Sequence, residues 1–156
     1  MYDQLTIERI GFAHPRIRVE LENYYLEINK KLPKGVRLRF SSVYRTNKEQ
    51  DALYAKRPKV TNAKGGQSIH NYGLAFDIAI LFDLDGNGTF ETASWKQDKY
   101  FKLVVDFFKS KGYTWGGDWS SFKDNPHFQK DYGYNWRALQ LLHVLMDDNG
   151  INYPVL

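Results

Sequence analysis

The stretch Ser68-Ile69-His70-Asn71-Tyr72-Gly73-Leu74-Ala75-Phe76-Asp77 passes from turn chemistry into an apolar run that continues to Phe82. Leu74 to Phe82 is apolar apart from Asp77 and reads as a buried strand. An ionised carboxylate inside such a run is costly to bury alone, so Asp77 needs a partner, and a cation is a good one. Upstream, residues 61–68 hold Asn62, Gly65 and Gly66 and read as a loop. Residues 47–56 suggest a helix, with Asn47 as N-cap and Gln50 completing a capping box. Val36 to Val43 alternates apolar and polar residues like a half-buried strand. Residues 15–32 place Ile17, Leu21, Tyr24, Tyr25 and Ile28 on one helical face, and Pro33-Lys34-Gly35 ends that helix.

Downstream, Asp83 to Thr89 is turn chemistry. Lys99 to Lys111 has helical spacing at Phe101, Val104, Val105 and Phe108, with Gly112 as its stop. Tyr113 to Trp119 reads as a short strand or loop. Residues 135–148 suggest a last amphipathic helix with Leu139, Leu142, Leu145 and Met146 inward. No repeat or linker interrupts the pattern. The expectation is one α+β domain over residues 1–156, with a small central antiparallel sheet flanked by helices.

A chain of 156 residues suits one hydrophobic core. It has no cysteine, which excludes disulfides, thiolate ligands and a cysteine nucleophile. Any metal must be held by His, Asp or Glu, and the only histidines are His14, His70, His127 and His143. The formal charge of +4 is not gathered into a basic run, and no recognition helix or stacking motif points to nucleic acid. Met1 to Ile10 lacks the apolar stretch of a secretory signal, and no run approaches membrane-spanning length. The expectation is a soluble monomer made without an export signal.

A second segment, Asp124-Asn125-Pro126-His127-Phe128, matters beside the first. A hydrolytic zinc site takes about three His or carboxylate ligands and keeps an open position for water. His70 on the loop, Asp77 on the following strand and His127 from the distant segment can meet that requirement. The bland alternative stays open on chemistry alone: a hydrogen-bonded loop histidine, a salt-bridged acid and a surface histidine.

The ordered set Ser68-x-His70-x-x-Gly73-x-Ala75-x-Asp77 and Asp124-x-Pro126-His127 resembles the LAS peptidases. These are zinc D-alanyl-D-alanine carboxypeptidases and dipeptidases and L-alanyl-D-glutamate endopeptidases. The resemblance extends to Ser42-Val43-Tyr44-Arg45-Thr46 with Glu49-Gln50, and to Trp115-Gly116-Gly117-Asp118-Trp119. It implies the fold shared by D-Ala-D-Ala peptidases and Hedgehog signalling domains. It also implies one Zn2+ on His70, Asp77 and His127, with Asp124 as catalytic base and Arg45 binding substrate and stabilising the transition state. Asp118 is the runner-up base. Ser68 is a weaker candidate for substrate contact or loop support. Tyr72, Trp115 and Trp119 are groove candidates, with core packing equally open, and His14 and His143 read as structural.

Within the family, the compact length and the run Val60 to Ser68 look most like the L-alanyl-D-glutamate endopeptidases of phage endolysins and autolysins. The resemblance then implies a peptidoglycan stem peptide as substrate, reached after phage- or lesion-mediated release. Alternatives are a D-alanyl-D-alanine carboxypeptidase or a non-catalytic zinc-containing wall-binding module. A second ion, Ca2+, is conceivable at Asp83, Asp85 and Asn87, where oxygen donors alternate. Ser94 stands where a calcium loop would end in Glu, so a hairpin turn is the simpler account.

Overall fold

The computed structural model describes residues 2–156. Asp3 caps helix α1 (Gln4–Ile10), its side chain accepting from the Thr6 amide. This helix falls in the segment read only for its lack of a signal. Helix α2 (Pro15–Lys30) begins with proline at its first position and His14 as N-cap. Its inner face is Ile17, Leu21, Tyr25 and Ile28, all buried at helical spacing.

Strand β1 (Val36–Ser42) pairs antiparallel with β2 (Ala75–Phe82). The register runs from Val36↔Phe82 to Phe40↔Ile78, then slips at a bulge so that Ser42 faces Asp77. The other edge of β2 is shared by two short strands. Strand β3 (Thr92–Ser94) takes Ile80 to Phe82, and β5 (His127–Gln129) takes Ala75 to Asp77. Strand β4 (Thr114–Trp115) closes the far side of β5. The antiparallel sheet is therefore as expected, with the Leu74–Phe82 run at its centre.

Side chains alternate across a strand, so Phe76 and Phe128 point to one face, and Asp77 and His127 to the other. On the first face Phe40 stacks on Phe76 at 4.2 Å and Phe76 on Phe128 at 5.2 Å between centroids. Phe108 of helix α4 (Lys99–Ser110) packs edge-on against Phe76 at 4.9 Å. Truncating one of these buried rings to alanine costs about 3–5 kcal/mol. The aromatic layer thus fixes β2 and β5 rigidly and leaves their opposite faces to chemistry.

Helix α3 (Asn47–Ala55) starts one residue earlier than expected. Its N-cap is Thr46, and Glu49 closes the capping box. Gln50 is freed for another role.

The last expected helix is wrong in extent. Helix α5 (Trp136–Leu141) is short and capped by Asn135. Strands β6 (Val144–Met146) and β7 (Asn152–Pro154) then form a hairpin. Leu139 is buried and Leu142 partly so, but Leu145 and Met146 are exposed. The Asp147-Asp148-Asn149-Gly150 turn decides it: Asp147 accepts from the Asn149 and Ile151 amides, and Gly150 adopts φ 76°.

Candidate metal centre and cleft

His70 sits in a 3₁₀ turn, Ile69–Tyr72, that feeds directly into β2. Ser68 caps the turn, its hydroxyl accepting from the His70 amide at 3.3 Å, so Ser68 holds the loop. Gly73 ends the turn at φ 71°, and a Cβ there would lie 2.5 Å from the His14 amide nitrogen. Only glycine fits. His14 itself donates from Nε2 to the Pro154 carbonyl at 2.7 Å and accepts at Nδ1 from the Arg16 amide, a structural role. His143 is exposed.

Asp77 and His127 are direct cross-strand partners on the open face. The donor atoms of His70, Asp77 and His127 all lie within 4.8 Å of one another. His70 Nε2 is 3.2 Å from Asp77 Oδ1, and His127 Nδ1 is 3.1 Å from the same oxygen.

The outer nitrogens of both imidazoles are already committed. His70 Nδ1 lies 2.7 Å from the Val43 carbonyl, and His127 Nε2 lies 2.8 Å from Gln129 Oε1. A carbonyl oxygen can only accept, so each outer nitrogen carries the proton. In neutral rings, both inner nitrogens then present lone pairs toward a carboxylate oxygen. Three acceptors facing one point repel one another unless a positive charge stands between them. The arrangement could bind a metal, and the outer bonds are those that orient metal-ligating histidines. Without metal, protons must supply the charge. Burial would lower the His127 pKa, but its hydrogen bond to Asp77 and that group's charge raise it. Burial likewise would raise Asp77, yet His70 and His127 hold it well below the usual carboxylate range.

Asp124 stands beside this group, its Oδ2 3.9 Å from His127 Nδ1. Burial and then the Asp77 charge push its pKa up. Its backbone is fixed by Gly116, whose carbonyl accepts from the Asp124 amide at 3.1 Å. A Cβ on Gly116 would fall 2.3 Å from the Asp124 carbonyl oxygen, so that approach too demands glycine. Arg45 approaches from the β1 side, Nη2 3.8 Å from Asp77 Oδ2. Burial lowers its pKa, opposed by Asp77. Its guanidinium donates to Gln50 Oε1 at 2.8 Å and Ser42 Oγ at 3.1 Å.

Gln50, read from sequence in a capping box and within the resemblance, and Asn71 and Gln129, which motif reading did not single out, are supports. Gln50 is fully buried and links Arg45 to the Ala63 carbonyl. Asn71 accepts from the Gly66 and Ser68 amides and donates to the Arg45 carbonyl. Gln129 lies two residues after His127 on the same strand face, which is the one signal that could have found it.

The group opens into a cleft of 1030 Å³. Trp119 and Phe122 line it, Trp119 5.3 Å from the His127 ring and Phe122 at φ 53° and largely exposed. Tyr72 instead bonds the Gly66 carbonyl, and the Trp115 indole donates to the Asn125 carbonyl at 2.6 Å. Asp118 pairs with Lys109 at 2.6 Å and does not line the cleft.

Calcium finds no support. Asp83 and Asp85 accept from the loop's own Asn87 and Gly88 amides, as in a hairpin turn. Among the described residues, His70, Asp77 and His127 are the group gathered tightly enough for a metal.

Residues 61–130 match a family described as D-alanyl-D-alanine carboxypeptidase. That span carries the whole donor group and Asp124. The central segment of the chain is thus similar to this peptidase family. The peptidoglycan L-alanyl-D-glutamate endopeptidase CwlK of Bacillus subtilis (strain 168) is 40% identical over 109 residues, 62% of this chain and 62% of that protein. The L-alanyl-D-glutamate peptidase of Listeria phage A118 is 36% identical over 54% of this chain but only 30% of its own length. The matches to these curated relatives thus cover less than two thirds of each relative. The crystal structure of Serratia marcescens L-Ala D-Glu endopeptidase ChiX shares the fold, with TM-score 0.56 at 24% identity over 80% of this chain and 84% of that one. No helix among the described residues is long and apolar enough to cross a membrane.

Proposed function

We propose that this chain is a zinc peptidase domain, residues 1–156, that hydrolyses the L-Ala–D-Glu bond of the peptidoglycan stem peptide. The observation that carries this reading is the pair of imidazoles whose outer nitrogens are committed to carbonyl oxygens. Both inner nitrogens and Asp77 Oδ1 then converge in an open cleft beside a second carboxylate. His70, Asp77 and His127 fit zinc by donor type and number, with room left for solvent. A zinc ion held there supplies Lewis-acid chemistry, polarising a carbonyl and lowering the pKa of water to about 7.

Asp124 takes a proton from the attacking water and returns it to the leaving amine. Its raised pKa suits both halves of that task. Arg45, held by Gln50 and Ser42, offers a fixed positive charge to the developing oxyanion. The relatives named as L-alanyl-D-glutamate peptidases support the choice of bond, and the phage relative supports a lysin-type route to the wall through a breached membrane.

A second reading, removal of terminal D-Ala, draws on the description of the matching family. Mass spectrometry of purified peptidoglycan digested by the zinc-loaded protein separates the two. New amino-terminal D-Glu supports the endopeptidase, free D-Ala supports the carboxypeptidase, and no released product overturns both.

A further inference from the structure

We propose that Arg137 is a specificity-determining residue: it binds a substrate carboxylate on the amine side of the scissile bond. This rests on the peptidase reading above and deepens it.

Two arginines line the cleft, and they differ. The guanidinium of Arg45 is occupied by Gln50 and Ser42 and stands near Asp77. Arg137 has only a ring: its guanidinium carbon lies 4.5 Å from the Trp136 ring centroid. Among the described residues it forms no ion pair and no hydrogen bond. Stacking restricts the guanidinium plane while leaving its N–H edge free, so little freedom is lost when a planar anion docks.

Its position is fixed too. Tyr72 Oη reaches the Trp136 carbonyl at 3.5 Å, and Gln140 of the same short helix packs on Gly66. The start of α5 is thereby held on the turn that carries His70. Lys123, on the loop before Asp124, also lines the cleft without an ion pair among the described residues. The cleft carries both signs of charge: Asp77 and Asp124 gather beside the imidazoles, and Arg137 and Lys123 also line its walls.

The chemistry of the substrate suits an uncommitted guanidinium in the cleft. A glutamyl residue that gives its amine to the scissile bond carries two carboxyl groups. Only one continues the chain, so the other is a free carboxylate close to the reacting centre. A planar fork binds a carboxylate through two parallel N–H bonds and discriminates against the isosteric carboxamide.

The test uses two peptides with an L-Ala–D-Glu bond. In one the glutamyl carboxyl outside the chain is free, and in the other it is a carboxamide. Cleavage is followed with the zinc-loaded protein, and binding by calorimetry with the metal-stripped protein. The proposal expects wild type to favour the carboxylate by about tenfold or more, mostly in KM and in Kd. Arg137→Gln removes the preference by weakening the carboxylate peptide alone. Arg137→Lys keeps charge without the fork and retains part of it. Equal handling of both peptides by wild type, or an unchanged preference in Arg137→Gln, overturns the subsite and leaves the hydrolase reading standing. Selective binding with no cleavage of either peptide overturns the hydrolase reading and keeps the subsite. Absence of both binding and cleavage overturns both.

Discussion

Two carboxylates, Asp3 at the start of helix α1 and Asp77 on strand β2, show how differently a protein can hold an acid. Asp3 is buried at the start of α1 and fully answered by donors. Arg39 reaches both its oxygens, at 3.0 and 2.8 Å, and the Thr6 hydroxyl donates at 2.6 Å. Tyr25 closes the circuit, accepting from the Asp3 amide and donating to the Leu38 carbonyl, each at 2.8 Å. Asp77 faces two rings whose spare protons are spent elsewhere. The first network is complete within the chain. The second has only Arg45, 3.8 Å from Asp77 Oδ2, and two imidazole nitrogens turned to the other oxygen, and it opens into a cleft. A buried acid is therefore informative when its neighbours are acceptors rather than donors.

The sharpest way to break this contrast is to remove one partner on each side. His127→Ala or His70→Ala should abolish stoichiometric zinc binding and reduce peptidoglycan cleavage to background, with little change in the melting temperature of the metal-free protein. Asp3→Ala should do the reverse. It strands Arg39 and should cost about 3 kcal/mol in denaturant unfolding, while activity per folded, zinc-loaded molecule is retained.

Asp124→Asn should keep zinc at one equivalent and lose about 10²- to 10⁴-fold in kcat, the usual worth of a positioned proton carrier. Loss of zinc together with activity would make Asp124 a ligand instead.

How much of this was legible differs by level. Asp77 stands out because an acid in an apolar strand is a chemical anomaly, whereas His70 and His127 join it as a ligand set through the family resemblance, chemistry alone having left a structural role open for both. Gln129 and Gln50 are ordinary polar residues in sequence. Their roles depend on strand register and on Thr46, not Asn47, capping α3. The C-terminal misreading has the same origin. Leu139, Leu142, Leu145 and Met146 fit a helical period, but the Asp147–Gly150 turn and its bond to Arg18 at 2.8 Å favour a hairpin. Turn chemistry outweighs a short apolar periodicity there. The phenylalanine layer was readable only in part: Phe40 falls in the alternating Val36–Val43 segment and Phe76 in the apolar run, but Phe128 joins them only through the β2–β5 register.

Gln129→Ala tests the outer bonds. Releasing the His127 ring should weaken zinc binding about 10- to 100-fold by competition with a chelator, with the ion still bound at one equivalent when saturated. A smaller effect is expected with pH on the structural side. The Arg39 and Thr6 bonds hold the Asp3 pKa below its ordinary value despite burial. A lowered carboxylate pKa contributes stability above the unfolded value and loses it as pH falls through the folded one. The stability gap between wild type and Asp3→Ala should therefore be full at neutral pH and shrink in acid below about pH 4, as denaturant titrations would reveal.

The most direct measurement is a crystal structure of the zinc-loaded protein. The account predicts one zinc bound by His70 Nε2, Asp77 and His127 Nδ1, with the remaining coordination filled by solvent facing Asp124. Zinc bound elsewhere, or a fourth protein ligand closing the position toward the cleft, would contradict it.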